Sequence, residues 1–227
     1  MQEIKIVLSK YKVLLISVFL IVFAIIFPVE SNCDIGTLID AHVISLVAIL
    51  CGCNIMYQEL YGDLKDVFGK MGYRKNFRTL LRRILIQWIG LLVLSVGFYW
   101  MFFLRNLSIE NSILIEFLQA LFAIAVSIFF FTVLSVFTTC LFKNQWAGMG
   151  ISFVIYQFFN STGAEKLLKP QWNIRAYSLD SENMTDAQWM TGKCVFFLIA
   201  CILLLIVRRI MAVSREGVVI KEKHKKW

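Results

Sequence analysis

ILIEFLQALFAIAVSIFFFTVLSVFTTCLF, residues 113–142, runs for 30 residues with Glu116 as its one charged side chain. As a helix rising about 1.5 Å per residue it would be roughly 45 Å long, against a bilayer hydrocarbon core of about 30 Å. The stretch therefore predicts a membrane-spanning helix whose outer end tilts or projects, with Glu116 and Gln119 at the interface. Lys143-Asn144-Gln145 follows it, and so short a connection allows only a tight helical hairpin into the next apolar segment.

Working outward from this helix, five further apolar segments of spanning character appear: Val13–Val29, Ile39–Tyr57, Ile84–Leu104, Trp146–Asn160 and Cys194–Val207. The last two are short for a crossing and call for extension by flanking residues. With 59% hydrophobic residues, mean hydropathy +0.73 and two prolines, the composition is that of a membrane protein and not of a soluble globular domain. The predicted fold class is an all-α membrane protein with six transmembrane helices in a single domain. A cleaved signal peptide is the other reading of the basic start and first apolar run, but Pro28 to Cys33 offers no small-x-small cleavage site.

The formal net charge is +8, yet the basic residues lie beside the apolar spans, where they set topology, so nucleic acid is excluded as a partner. Three Lys precede the first span, seven Lys and Arg lie in 58–83, one in the 143–145 turn and seven in the tail, against five on the opposite side: Arg105, Lys166, Lys169, Arg175 and Lys193. Cytoplasmic loops carry the excess, which places both termini in the cytoplasm of a multi-pass plasma-membrane protein of bacterial type. Ile4, Val7, Leu8 and Tyr11 make an apolar helical face in residues 1–12, as in an interfacial helix on membrane lipid. The 208–227 tail reads as a basic stop-transfer and lipid-contact sequence.

Between the second and third spans, QELYGDLKDVFGKMGYRKNFRTLLRRI (58–84) is an island of charge. Leu60, Leu64, Val67, Phe68 and Met71 recur at three- and four-residue intervals as an amphipathic stripe, Gly69 and Gly72 break it, and a basic helical run leads to Arg82 and Arg83. One reading is a helix lying on anionic lipid; the other is a docking helix for a soluble partner.

This plan resembles the permease subunit of type-2 ABC exporters. In that family a helix after the second span carries a Glu, a Gly about three residues on, an apolar residue, a turn and basic positions. Here these match Glu59, Gly62, Leu64, the Gly69–Gly72 turn, Arg74, and Arg82 or Arg83. Two departures are the glycines where the family often has Pro, and Tyr57-Gln58 in place of an Arg-rich signature. The resemblance implies that Glu59, Leu60, Gly62, Leu64, Val67, Phe68 and Arg74 dock a separate ABC ATP-binding subunit, which carries the ATP and Mg. This chain would hold no cofactor and would not itself be an enzyme, since it has no G-x-x-x-x-G-K-[ST] loop to cradle phosphates. It would work beside a second permease chain, identical or related, to export an amphipathic or lipid-like compound, with an antimicrobial peptide in a self-protection system as one instance.

The polar segment 161–193 is too long for an empty loop. It predicts a short helix over Ala164–Lys169 ended by Pro170 and another opened by Thr185, with Trp172, Tyr177 and Trp189 as interface anchors. The resemblance makes this an external helical element closing the exit path. Polar residues inside spans are the default functional suspects in a membrane protein, and Asp40, His42, Gln157 and Asn160 are the candidates along a substrate path. Most lie within a turn or two of an interface, so solvated or helix-to-helix roles compete with ligand contact. Two positions apart on a helix, Asp40 and His42 do not face each other, and Asp40→Asn is expected to do little. His42 and His224 fall on opposite sides of the membrane, so neither a metal site nor a Ser-His-Asp arrangement can be assembled. Cys33 and Cys194 both fall near the outer face, which leaves a disulfide between them open. Gly90, Gly97, Gly148 and Gly150 permit close helix approach. The competing function is an ATP-independent channel, a secondary carrier working through Asp40 and His42, or a scaffold docking a cytoplasmic partner.

Overall fold

A computed structural model describes residues 32–55, 57–61, 72–105, 113–168, 172–179 and 188–224, together with scattered helical positions between 7 and 22. Every regular element among them is helical. α1 (Asn32–Leu38) passes through a π-helical turn (Ile39–Val43) into α2 (Ile44–Gly52). The order continues with α3 (Tyr57–Leu60), α4 (Tyr73–Arg105), α5 (Ile113–Phe142), α6 (Gln145–Phe159), α7 (Thr162–Leu167), α8 (Ala176–Leu179) and α9 (Gln188–His224).

Among the described residues, four helical stretches are long and apolar enough to cross a membrane: Ile35–Gly52, Arg74–Trp100, Ile115–Phe142 and Gln188–Ala212. The third is the axis of the bundle. Its apolar window is 78% buried, against 33% for α4 and 28% for α9, because a helix apolar on all sides can be sheathed by its neighbours. α1, α2, α4, α6 and α9 all pack on α5. The outward faces of α4 and α9 stay apolar, with Leu85, Ile89 and Val93 on one and Leu198, Ile202 and Leu205 on the other all exposed. Hydrocarbon is the solvent in which such faces carry no penalty.

α5 has the bounds that its apolar run predicts. The hairpin after it turns on Lys143, which adopts the left-handed conformation (φ 53°), and on Asn144, whose side chain accepts hydrogen bonds from Trp146 N and Ala147 N to cap α6. The two helices then close on each other at Gly148. A Cβ there would fall 2.3 Å from Thr139 Oγ1 and 2.7 Å from its backbone. The Thr138 hydroxyl meets Gly148 O at 3.0 Å and Ser152 Oγ at 2.9 Å across the same seam. Gly97 and Gly150 have nothing within 4 Å of an added Cβ, so these two are not close-approach positions within the chain. Gly52 is one: its Cβ would come 3.0 Å from Thr132 O on α5.

Other boundaries shift. The predicted second span starts seven residues earlier, at Asn32, and ends at Gly52, not Tyr57. The sixth starts at Gln188, not Cys194, and its helix continues to His224. α6 has 15 residues, or about 22 Å, short of a 30 Å core. The polar segment after it contains α7, capped by Ser161, and α8 at Ala176–Leu179; the helix start expected at Thr185 lies outside the described residues. The interfacial helix at 1–12 and the first span at 13–29 lie outside the described residues apart from scattered positions, as do 62–71 of the charged island and 180–187.

Candidate membrane-buried ion site

The π-helical turn gathers the site. One extra residue per turn at Ile39–Val43 lets the Ser45 hydroxyl reach back five positions to Asp40 O at 2.9 Å, and such turns are frequent at functional sites. Asp40 is 2% exposed and its carboxylate faces α9. There Lys193, 0% exposed, places Nζ 2.6 Å from Asp40 Oδ2 and 2.7 Å from Ser127 Oγ of α5. Three elements thus converge on one buried charge pair, and Asp40 Oδ1 is left with no hydrogen bond.

These contacts correct one expectation. Lys193 is not a solvent-facing residue of an external loop; it lies inside the bundle. Of the two roles expected for Asp40, solvated or helix-to-helix, it takes the second: it pairs with Lys193, 153 positions away, while His42 on the same helix serves another contact.

His42 faces the segment after α7. Arg175 Nη2 lies 3.4 Å from His42 Nε2, and the Tyr156 hydroxyl donates to His42 O at 3.3 Å. Arg175 is held by its own backbone, its N–H donating to Asn173 Oδ1 at 2.9 Å. A narrow crevice runs here between Asp40, Ser45 and Ser127 on one side and Tyr156, Phe159, Asn160, Ile174 and Arg175 on the other, with Phe131 at its wall. It leaves no water-sized space. Neither amide atom of Asn160 is hydrogen-bonded, although the Tyr156 hydroxyl lies beside it without the geometry of a bond. Of the candidate path residues, then, Asp40 and Asn160 meet at this crevice, His42 borders it through its backbone and Arg175, and Gln157 is exposed on another face of α6.

A second buried pair sits at the other end of the bundle. Glu59 of α3, 8% exposed, bonds Arg83 of α4, and Arg83 Nη1 also donates to Ile55 O at 2.9 Å. Tyr61 donates to Cys140 O at the foot of α5 at 3.1 Å, and burial, followed by the neighbouring Cys140, pushes its phenol up from the ordinary value. Deeper in, Gln87 joins three helices, donating to Ala48 O and to Thr132 Oγ1, both at 3.3 Å. Of the predicted docking residues, Glu59 turns inward to Arg83, Leu60 is half-buried and Arg74 is exposed in the first turn of α4. Gly62, Leu64, Val67 and Phe68 lie outside the described residues.

Sequence reasoning did not find Lys193, Ser127, Arg175 or the inward role of Arg83. A signal existed for the first: with the sixth span started at Gln188, Lys193 becomes a lone cation in an apolar helix, and Asp40 is a lone anion in another. Cys194 is a free, exposed thiol, so it forms no disulfide with Cys33. Among the described residues no cluster of His, Cys, Asp and Glu could hold a metal ion. Compared with family models, curated proteins and solved structures, the chain matches none.

Proposed function

We propose that the chain is the transmembrane subunit of an ATP-driven exporter of the type-2 ABC kind, paired with a second permease chain and driven by a separate ATP-binding subunit. The observation that carries this reading is the Glu59–Arg83–Ile55 tie. It joins the start of the charged island to the end of the Ile35–Gly52 span and to α4 at a single buried point. A force applied to the island by a partner would be delivered to both helices together, which is what coupling of nucleotide-driven closure to span movement requires. Glu59 then acts by positioning the island, and the partner-facing contacts fall to Leu64, Val67, Phe68 and Arg74.

The test is to purify the tagged chain from its native membrane in mild detergent and identify co-purifying proteins by mass spectrometry. A stoichiometric subunit with a Walker A loop is expected. Leu64→Asp should abolish its retention, whereas Glu59→Ala should keep the partner bound but cut ATP-dependent transport at least tenfold. Recovery of this chain alone, under crosslinking and from repeated preparations, would sink the proposal. A second reading, an ATP-independent carrier, is favoured by one observation: the Asp40–Lys193 pair inside the apolar bundle, since intramembrane charge pairs commonly mark ion or substrate pathways. It predicts transport by the chain alone in liposomes.

A further inference from the structure

We infer that the crevice beneath the Ile174–Arg175 turn is the outer part of the substrate pocket, and that it takes the uncharged hydroxyl-bearing end of a lipid-like amphipath. The inference rests on the exporter reading for its direction and goes beyond it in naming a site and a ligand chemistry.

Three observations converge. First, polar groups that protein atoms leave unused line this one crevice: Asp40 Oδ1 and both amide atoms of Asn160. Asp40 is 2% exposed, and a buried acceptor without a donor is a standing cost that a ligand can remove. Second, the remaining walls are apolar and aromatic, with Phe131, Phe159 and Ile174 facing the same space; a pocket of this make-up binds an apolar body by burial and orients it through a few polar contacts. Third, the charges select against ionic ends. An ammonium would approach Lys193 and Arg175, while a phosphate or carboxylate would approach Asp40 Oδ1. A neutral hydroxyl avoids both repulsions. It donates to Asp40 Oδ1 and accepts from Asn160 Nδ2.

The crevice is closed in this state, with Ile174 and Arg175 forming part of its wall. α6 stops about 8 Å short of a full crossing. Asn173 braces this turn through its contacts to Arg175 N and Ala176 N, and Arg175 reaches His42 at 3.4 Å. Opening requires the turn to lift while Asp40, Ser127 and Lys193 stay fixed between the long helices.

The test is photolabelling of the purified chain in nanodiscs with a diazirine-bearing monoalkylglycerol, alongside the same alkyl diazirine ending in a methyl ether that cannot donate. Peptide mapping should find the glycerol probe on residues 156–160 and 131 at least fivefold above the ether. Asn160→Leu should lower that labelling threefold or more with an unchanged melting temperature. The paired change Asp40→Leu with Lys193→Met should abolish it, and if that variant does not fold, Asn160→Leu decides. Equal labelling by both probes, or glycerol-probe label confined to the lipid-facing positions Val154, Leu198 and Ile202, would overturn the inference. No ATPase is present in this assay, so its failure leaves the exporter reading standing, and failure to recover an ATPase leaves the pocket standing.

Discussion

At the scale of the residue, the decisive arrangement is a lysine and an aspartate that no water reaches. Two charges taken out of water recover their desolvation only through close pairing and further hydrogen bonds, and Lys193 has both, from Asp40 at 2.6 Å and Ser127 at 2.7 Å. Removing one partner leaves the other uncompensated. Lys193→Met and Asp40→Ala should each lower stability by about 3–5 kcal/mol, while the paired apolar replacement Asp40→Leu with Lys193→Met should lie within about 1–2 kcal/mol of the parent. Thermal denaturation of the purified variants in one detergent measures this as a double-mutant cycle, and additive losses would show that the pair is not coupled. A sequence reader could see each charge but not the pairing. Asp40 and Lys193 are 153 positions apart, and helical periodicity carries no information on which helix lies beside which. A sixth span that begins at Cys194 leaves Lys193 one residue outside it, whereas the helix begins at Gln188 and holds Lys193 within the bundle.

Elements were far more legible where hydrophobicity alone decided them. α5 has the bounds of its apolar run, and the hairpin follows from too few residues between two helices. What sequence could not rank was the glycines, because Gly97, Gly148 and Gly150 look alike until a neighbour is placed. Gly148 lies against the Thr139 backbone, where an added Cβ would sit at 2.7 Å. Gly148→Ala should therefore force α5 and α6 apart at a cost of about 1–3 kcal/mol. Gly150→Ala, with open space around it, should be neutral or stabilising by up to about 1 kcal/mol through helix propensity. Asn144→Ala at the same hairpin removes the cap from two backbone N–H groups and should cost about 1 kcal/mol. Melting temperatures of the three variants check the order; a Gly148→Ala protein as stable as Gly150→Ala would mean the seam is looser than its geometry.

For the whole molecule, the helices fix which residues share an end, while orientation in the membrane follows from charge alone. α6 runs from the Lys143 turn to Asn160, and both Lys143 and Lys166, in α7 just beyond, are exposed at its two ends. The excess of Lys and Arg flanks the Lys143 end, which predicts that this end is cytoplasmic. Single-cysteine reporters separate the possibilities, because among the described residues Cys53 and Cys140 are buried and Cys51, Cys194 and Cys201 lie along apolar spans. In intact cells a membrane-impermeant maleimide should label Lys166→Cys and leave Lys143→Cys unlabelled until the membrane is opened. The reverse pattern would invert the topology, placing the Glu59–Arg83 tie outside and removing the basis for a cytoplasmic ATPase. Labelling of both from one side would contradict the opposed ends of α6. With the predicted pattern, the Glu59–Arg83 pair lies toward the cytoplasmic end of the bundle. Glu59–Arg83 then binds the island to α4 at that side, and Asp40–Lys193 binds α9 to the Ile35–Gly52 stretch, with α5 running between them as the common wall.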